Sequence, residues 1–313
     1  MIMIKKPGRS YGCRLALPVI LILLLCLCPP VSAETPEEIM KGVLSSFDLP
    51  LRDLIREEHP ADWKDIFNGL SGNFGVSYPL DKEKPQTEDG AASQGSQKGR
   101  DVRLSASVRY NPITYWYFLT TFYKYPDDDF KASWDPDFTY SFGYDDWHPY
   151  TLSLVYSNYG GNRFNPDRDA GEKYTRFEEG TINLGFKFTV PRWVEEIFIV
   201  HPAGGIRGSL NYTLNPRYLD SSGETEKWKQ RLGLNLKYTI YKWIYLSTSF
   251  YYYPRSDQQQ PWDPDYTYGF GFFDWHPGTL SVQLNNFSGN SAGGNFFDNL
   301  RDASLSATWS WAW

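Results

Sequence analysis

Beyond residue 33 the chain has no cysteine; all three, Cys13, Cys26 and Cys28, fall near its start. Disulfide scaffolds and thiolate chemistry are therefore excluded for the rest of the sequence. That part also lacks any run of 18 apolar residues, so no spanning helix is expected. Histidine is scarce, at four in 313 residues. No Gly-x-Ser-x-Gly elbow or phosphate-cradling glycine loop occurs. Positive charge is the minority sign: after residue 33 there are 27 basic against 37 acidic residues, a net charge of −10. Such a balance argues against a nucleic-acid partner.

Lys5, Lys6, Arg9 and Arg14 precede an apolar stretch from Leu15 to Cys28, then Pro29, Pro30 and the small residues Val31-Ser32-Ala33. This is the pattern of a secretory signal peptide over 1–33. A retained anchor is disfavoured by the two prolines. A lipoprotein is disfavoured because Leu25 and Leu27, not small residues, precede Cys26 and Cys28.

What the remainder has in abundance is alternation. Ala303-Ser304-Leu305-Ser306-Ala307-Thr308-Trp309-Ser310-Trp311-Ala312-Trp313 alternates between small or polar and apolar residues. Val102, Leu104, Ala106, Val108 and Tyr110 share one face of an extended segment, and Arg103, Ser105, Ser107 and Arg109 the other. Segments of about ten residues with period two are what a tilted membrane strand needs. Twelve are predicted, roughly 72–80, 102–111, 115–125, 138–146, 151–159, 180–190, 205–214, 230–240, 243–253, 266–274, 279–287 and 302–313. The expected fold is an all-β transmembrane antiparallel up-and-down barrel over 71–313. A short periplasmic helical segment over 34–70 should precede it.

The twelve segments divide into two sixes. Trp134 to Ser153 matches Trp262 to Ser281 at 15 of 20 positions, at an offset of 128. A period this long suits two tandem half-barrels, 71–190 and 191–313, rather than a solenoid. With the last strand running toward the periplasm, short turns (111–114, 147–150, 241–242, 276–278) fall on that side. The long connections (81–101, 126–137, 160–179, 215–229, 254–265, 288–301) fall outside, the asymmetry expected of outer-membrane barrels. Thr35-Pro36-Glu37-Glu38 carries helix-start signals. Ala61 to Phe67 and Pro191 to Phe198 read as short amphipathic stretches that either lie in the interface or cap the lumen.

Few residues suggest chemistry. Asp-Trp-His-Pro recurs at 146–149 and 274–277, but both copies fall at tight turns, where Pro shapes the turn and Trp147 and Trp275 anchor at the lipid interface. Trp309, Trp311 and Trp313 are further interface anchors. His59 and His201 also fall on the periplasmic side. No catalytic residue is assigned, and the chain is expected not to be an enzyme. Asp127, Asp128, Asp129, Asp167 and Asp169, with the Trp-Asp-Pro-Asp copies, could hold Ca²⁺. Their spacing fits no defined loop, so an acidic rim is preferred, with no metal and no cofactor. The inward face is more telling. It carries Arg103, Arg109, Lys187, Arg207, Arg231 and Lys237, with Asp145 the clearest inward acid. Tyr117, Tyr123, Tyr125, Tyr245, Tyr251 and Tyr253 also point inward, and such rings stack on sugars and hydrogen-bond their hydroxyls. A basic lining selects anions. If those charges instead pair with lumenal carboxylates, the interior is packed.

The signal peptide, the twelve alternating segments and the aromatic terminus Trp313 together resemble the small outer-membrane barrels of Gram-negative bacteria. The terminus resembles the signal read by the barrel-assembly machinery. Among such barrels the basic lumen looks most like the porins for acidic oligosaccharides, and the Trp-Asp-Pro-Asp to Asp-Trp-His-Pro block is similar to barrels of exopolysaccharide-secretion systems. The resemblance implies a porin-like channel for small anionic or sugar-like solutes, embedded in lipid and lipopolysaccharide. Its alternatives are a closed barrel that binds a ligand or partner through its outer loops, and an exopolysaccharide export port.

Overall fold

The fold is seen in a computed structural model. It describes residues 69–80, 102–126, 131, 135–168, 172–190, 195, 197–198, 204–274, 276–287, 290, 300 and 303–312. The predicted signal peptide and almost all of the 34–70 segment lie outside these residues. Apolar side chains at every second position commit a chain to sheet. A sheet this extensive removes its exposed edges by closing on itself.

Twelve strands do so: β1 (Leu70–Pro79), β2 (Arg103–Ile113), β3 (Trp116–Lys124), β4 (Phe138–Asp145), β5 (Leu152–Asn158), β6 (Thr181–Thr189), β7 (Gly205–Leu219), β8 (Thr225–Tyr241), β9 (Ile244–Tyr252), β10 (Tyr266–Phe272), β11 (Leu280–Asn286) and β12 (Ser304–Ala312). Each pairs antiparallel with its chain neighbours, and β1 closes the barrel on β12 through a ladder from Ser71↔Ala312 to Pro79↔Ser304. The architecture is the expected closed up-and-down barrel.

Alternation sorts the two faces as the sequence indicates. Phe74, Val76, Leu104, Val108, Phe118, Leu154, Leu184, Leu246, Phe270, Leu280 and Leu305 are exposed on the outer wall. Ser, Thr, Asn, Tyr and the basic residues occupy the alternate positions. Trp309 stacks on Phe74 across the closing seam, with centroids 6.2 Å apart. Trp311 lies over Gly72, whose missing side chain leaves room for the ring. Trp147 is strongly exposed at its turn; Trp275 and Trp313 lie outside the described residues.

One hairpin departs from expectation. The sequence predicts a long outer connection over 215–229, but β7 and β8 continue pairing to Leu219↔Thr225. Only five residues, 220–224, make the turn. Asp220 Oδ1 accepts from the Ser222 amide (2.9 Å), the Ser222 hydroxyl (2.7 Å) and the Glu224 amide (2.8 Å). Gly223 takes φ +81°. The extra rungs carry polar residues on both faces, so no hydrophobic alternation marks them.

The Asp-Trp-His-Pro copies form the same turn twice. Asp146 Oδ1 accepts from the His148 amide (2.9 Å) and contacts His148 Nδ1 (2.7 Å); Asp274 repeats this with His276 at 3.0 and 2.6 Å. Thr151 and Thr279 donate to the backbone carbonyls of the same turns. The His276 amide above all, with a lesser share from its ring, holds the Asp274 carboxyl below the usual carboxylate range against the opposing effect of burial. The Ser222 hydroxyl and nearby amides do the same for Asp220. A carboxyl whose folded-state pKa is depressed stabilises the fold above its unfolded value, about 3.9, and that contribution is lost as pH falls through the folded value. The expected result is an unfolding midpoint steady from pH 7 to about pH 5 and falling below pH 4. Asp220→Asn should flatten the acid limb, as thermal melts across pH would show.

Elements outside the ladder bind the outer wall. The Phe198 carbonyl accepts from the outward Tyr238 hydroxyl at 2.7 Å, and Ile197 and Phe198 are exposed. Ile197 and Phe198 therefore lie beside the wall rather than in the lumen. In the connection after β5, Phe164 stacks on Phe138 at 5.2 Å and Phe177 on Tyr156 at 4.3 Å. Tyr156 also donates to the Phe177 carbonyl at 2.6 Å.

Candidate functional site

Closure brings β2–β3 and β8–β9 to opposite walls, because β2 and β8 are six strands apart around the ring of twelve. Each pair carries two cations on two tyrosines. Arg103 lies 4.8 Å from the Tyr123 centroid and Arg109 lies 4.2 Å from that of Tyr117. Across the lumen Arg231 lies 4.5 Å from Tyr251 and Lys237 lies 4.4 Å from Tyr245. The four contacts are related in pairs by the sequence offset of 128.

Register explains the pairing. Arg109 stands opposite Leu119, so the inward Tyr117 is its diagonal neighbour. Lys237 stands opposite Ser247, so Tyr245 is its diagonal neighbour in the same sense. Diagonal neighbours on one face of a sheet are within reach of long and aromatic side chains. Arg103 and Arg109 are six residues apart, as are Arg231 and Lys237, which spaces the two stations on each wall by roughly 20 Å along the strand.

A cation lying on a ring face is held in place while keeping N–H donors free, in contrast to one held by a carboxylate. Arg109 donates from its Nε to Asn111 Oδ1 at 3.1 Å, its one hydrogen bond among the described residues. None of Arg103, Arg109, Arg207, Arg231 and Lys237 forms an ion pair with a described residue. Lys187 differs: it is paired with Asp145 and donates to the Asp146 carbonyl at 2.6 Å. Of the predicted basic lining, Lys187 is thus neutralised, and the other five have no ion-pair partner among the described residues.

Between the stations the wall is neutral and polar. Thr213 Oγ1 donates to Asn183 Oδ1 (3.2 Å), Asn211 to Ser209 (3.0 Å) and Asn235 to Ser209 (3.2 Å) across β6, β7 and β8. Ser107 and Thr121 hydroxyls meet at 2.9 Å. The β3–β5 side is tighter: Tyr117, Thr139, Ser141, Ser153 and Ser157 are all buried.

The prediction missed a further cation. Lys229 continues the inward row of Arg231 and is paired with Asp263, with Tyr218 and Tyr253 rings at 5.4 and 5.8 Å. Its two-residue offset from Arg231 was the available signal, hidden by reading 215–229 as a loop. Gln258 clips the same place, donating to the Trp228 carbonyl and accepting from the Gln230 amide, each at 3.2 Å.

The Trp-Asp-Pro-Asp carboxylates are committed to loop structure. Asp137 accepts from the Phe164 amide at 2.8 Å and pairs with Lys131. Burial pushes its carboxyl up, but Lys131 and that amide outweigh it and hold the group below the usual range. Asp265 accepts from Gln259 at 2.8 Å. Behind them, Asn162 donates to Asn158 Oδ1 at 3.0 Å, and Asn290 to Asn286 Oδ1 at 2.7 Å. The Asp167 backbone amide donates to Glu172 Oε2 at 2.8 Å. Asp127, Asp128, Asp129 and Asp169, with His59 and His201, lie outside the described residues. No group of three or more metal-ligating side chains occurs among the described residues.

No family model matches this chain, and no curated protein matches it.

Proposed function

We propose that the barrel sits in a Gram-negative outer membrane and passes small anionic or sugar-like solutes passively, without catalysis. The observation that carries this reading is the pair of facing cation–tyrosine rows, whose cations have no carboxylate partner among the described residues. Fixed positive charge in a water-filled lumen raises local anion concentration and excludes cations. The rings beside each cation offer flat, amphipathic surfaces suited to sugar faces. Twelve strands lie between the eight that side chains fill and the sixteen of open porins, consistent with a narrow passage.

The outer wall supports a membrane setting. Its exposed Phe, Leu and Val band is far more apolar than a water-facing surface tolerates, and it matches the lipid-facing band of such barrels. On this reading residues 1–33 are an export signal, Trp313 addresses the assembly machinery, and the wall contacts lipid and lipopolysaccharide.

The test is planar-bilayer conductance of refolded protein, with the reversal potential in a salt gradient. Discrete anion-selective steps are expected. Silence from a sample whose heat-modifiable gel mobility shows it folded would overturn the channel reading. It would favour a closed binding barrel instead, for which the specific observation is the connection 253–265, tied to the inward Lys229 by Asp263 and to the backbone on either side of it by Gln258.

A further inference from the structure

Repeat-equivalent places on the two walls differ at one point. In the first half, Arg109 stands opposite Ser71 on the preceding strand. In the second half, its counterpart Lys237 stands opposite Arg207. Two cations directly opposite on neighbouring strands repel each other, and a sheet avoids this where it can. Among the described residues no carboxylate relieves it. Neither residue has an ion pair with a described residue, and both side chains are exposed to the lumen. Glu195 comes near this end of β7, accepting from the Ile206 amide at 3.3 Å, but it forms no ion pair with either cation. The neighbouring basic residue, Lys187, already has Asp145.

We propose that Arg207 and Lys237 form an oxyanion-binding station in the periplasmic half of the lumen, for a carboxylate, sulfate or phosphate group. The guanidinium offers a planar fork for two oxygens, and the ammonium offers a compact charge for a third contact. Tyr245 and Phe273, with ring centroids 4.4 and 5.3 Å from Lys237 Nζ, both hold the ammonium by cation–π contact. Bound anion would turn like-charge repulsion into attraction, so the doublet is stable when occupied and costly when empty. The Ser71 side has no second cation, which makes the station single and places it on one wall. It rests on the proposed aqueous lumen, but it does not require conduction.

The experiment measures thermal unfolding of the refolded full barrel in detergent at constant ionic strength, with chloride replaced stepwise by sulfate, inorganic phosphate or acetate. Sulfate and phosphate are expected to raise the unfolding midpoint of the native protein above its chloride value. Arg207→Ser, which installs the residue found at the equivalent place on the other wall, should weaken the apparent sulfate affinity at least about tenfold, the loss expected for one charge-assisted contact. Lys237→Gln should do likewise. Arg168→Ser, which removes one positive charge in an outer connection, should leave the sulfate response unchanged. In chloride alone Arg207→Ser should melt no lower than the native protein, since it removes repulsion. A sulfate response that survives both lumenal substitutions, or a chloride melt lowered by Arg207→Ser, would overturn the station. A barrel that shows the sulfate response but no conductance keeps the station and loses the channel; an anion-selective barrel without the response does the reverse.

Discussion

Arg109→Glu combined with Lys237→Glu is expected to make the barrel cation-selective. The two residues occupy equivalent places on opposite walls, so the pair of substitutions converts both stations at one level of the lumen. Two unit charges 4 Å apart interact by about 1 kcal/mol even at the dielectric of bulk water, and by more near protein. Reversing the sign at both positions therefore shifts the relative barrier for a passing anion and cation by at least about 2 kcal/mol, on the order of thirtyfold in the permeability ratio. Reversal potential in a salt gradient reads that ratio directly. Tyr117 and Tyr245 remain as platforms, and each glutamate is shorter than the cation it replaces, so the wall need not rearrange. Arg109→Gln with Lys237→Gln should give an intermediate, weakly selective barrel. A folded double glutamate variant with native ion selectivity would show that neither residue faces the conduction path, and the basic-lumen reading would fall with it.

The signal that exposed these residues was simple. From Leu104 to Tyr110 in β2 and from Leu232 to Ile240 in β8 apolar side chains recur at every second position, and one apolar face fixes the parity of the other. Once Leu104 and Leu232 are placed outward, Arg103 and Arg231 can only point inward. The twelve strands follow from the same rule, and the offset of 128 marks which residues face each other across the barrel. Two things were not legible. The outer rungs of β7 and β8 are polar on both faces, Arg217 against Lys227 and Tyr218 against Glu226, so no periodicity separates them from a loop. Which cations keep their charge free was also hidden, because it depends on long-range partners. Lys187 and Asp145 are 42 residues apart, and Lys229 and Asp263 are 34 apart. Nothing local predicts either pair. The cation–tyrosine contacts sit between these cases: parity places both partners inward, but only the ladder register makes them diagonal neighbours.

Gly143→Ala is expected to abolish formation of the native barrel or to destabilise it by about 3 kcal/mol or more. Gly143 has φ +152°, and a Cβ built there would lie 2.2 Å from the Leu154 carbonyl oxygen and 2.8 Å from the Val155 Cα. Both obstacles are backbone of the adjacent strand, which cannot rotate aside as a side chain would. The neighbouring strand on the other side supplies a lumenal tyrosine at the same level. Gly143 is paired with Tyr117, the ring beneath Arg109. In the second half Gly271 is paired with Tyr245, the ring beneath Lys237, and a Cβ there would lie 2.3 Å from the Val282 carbonyl oxygen. In both halves the inward tyrosine of this station stands beside a glycine, and an aromatic residue beside a strand glycine can shield the backbone the glycine exposes. The two glycines are thus part of the stations: they permit the sheet to bring a bulky ring to the inner wall without crowding. Gly160→Ala supplies the control, because its Cβ would meet nothing within 4 Å, and a change within about 0.5 kcal/mol is expected there. Denaturant unfolding in micelles, with heat-modifiable mobility as the readout of closure, distinguishes the two. If Gly143→Ala refolds with the native midpoint, β4 and β5 do not approach as closely as the ladder requires, and the seat of Tyr117 must be redrawn.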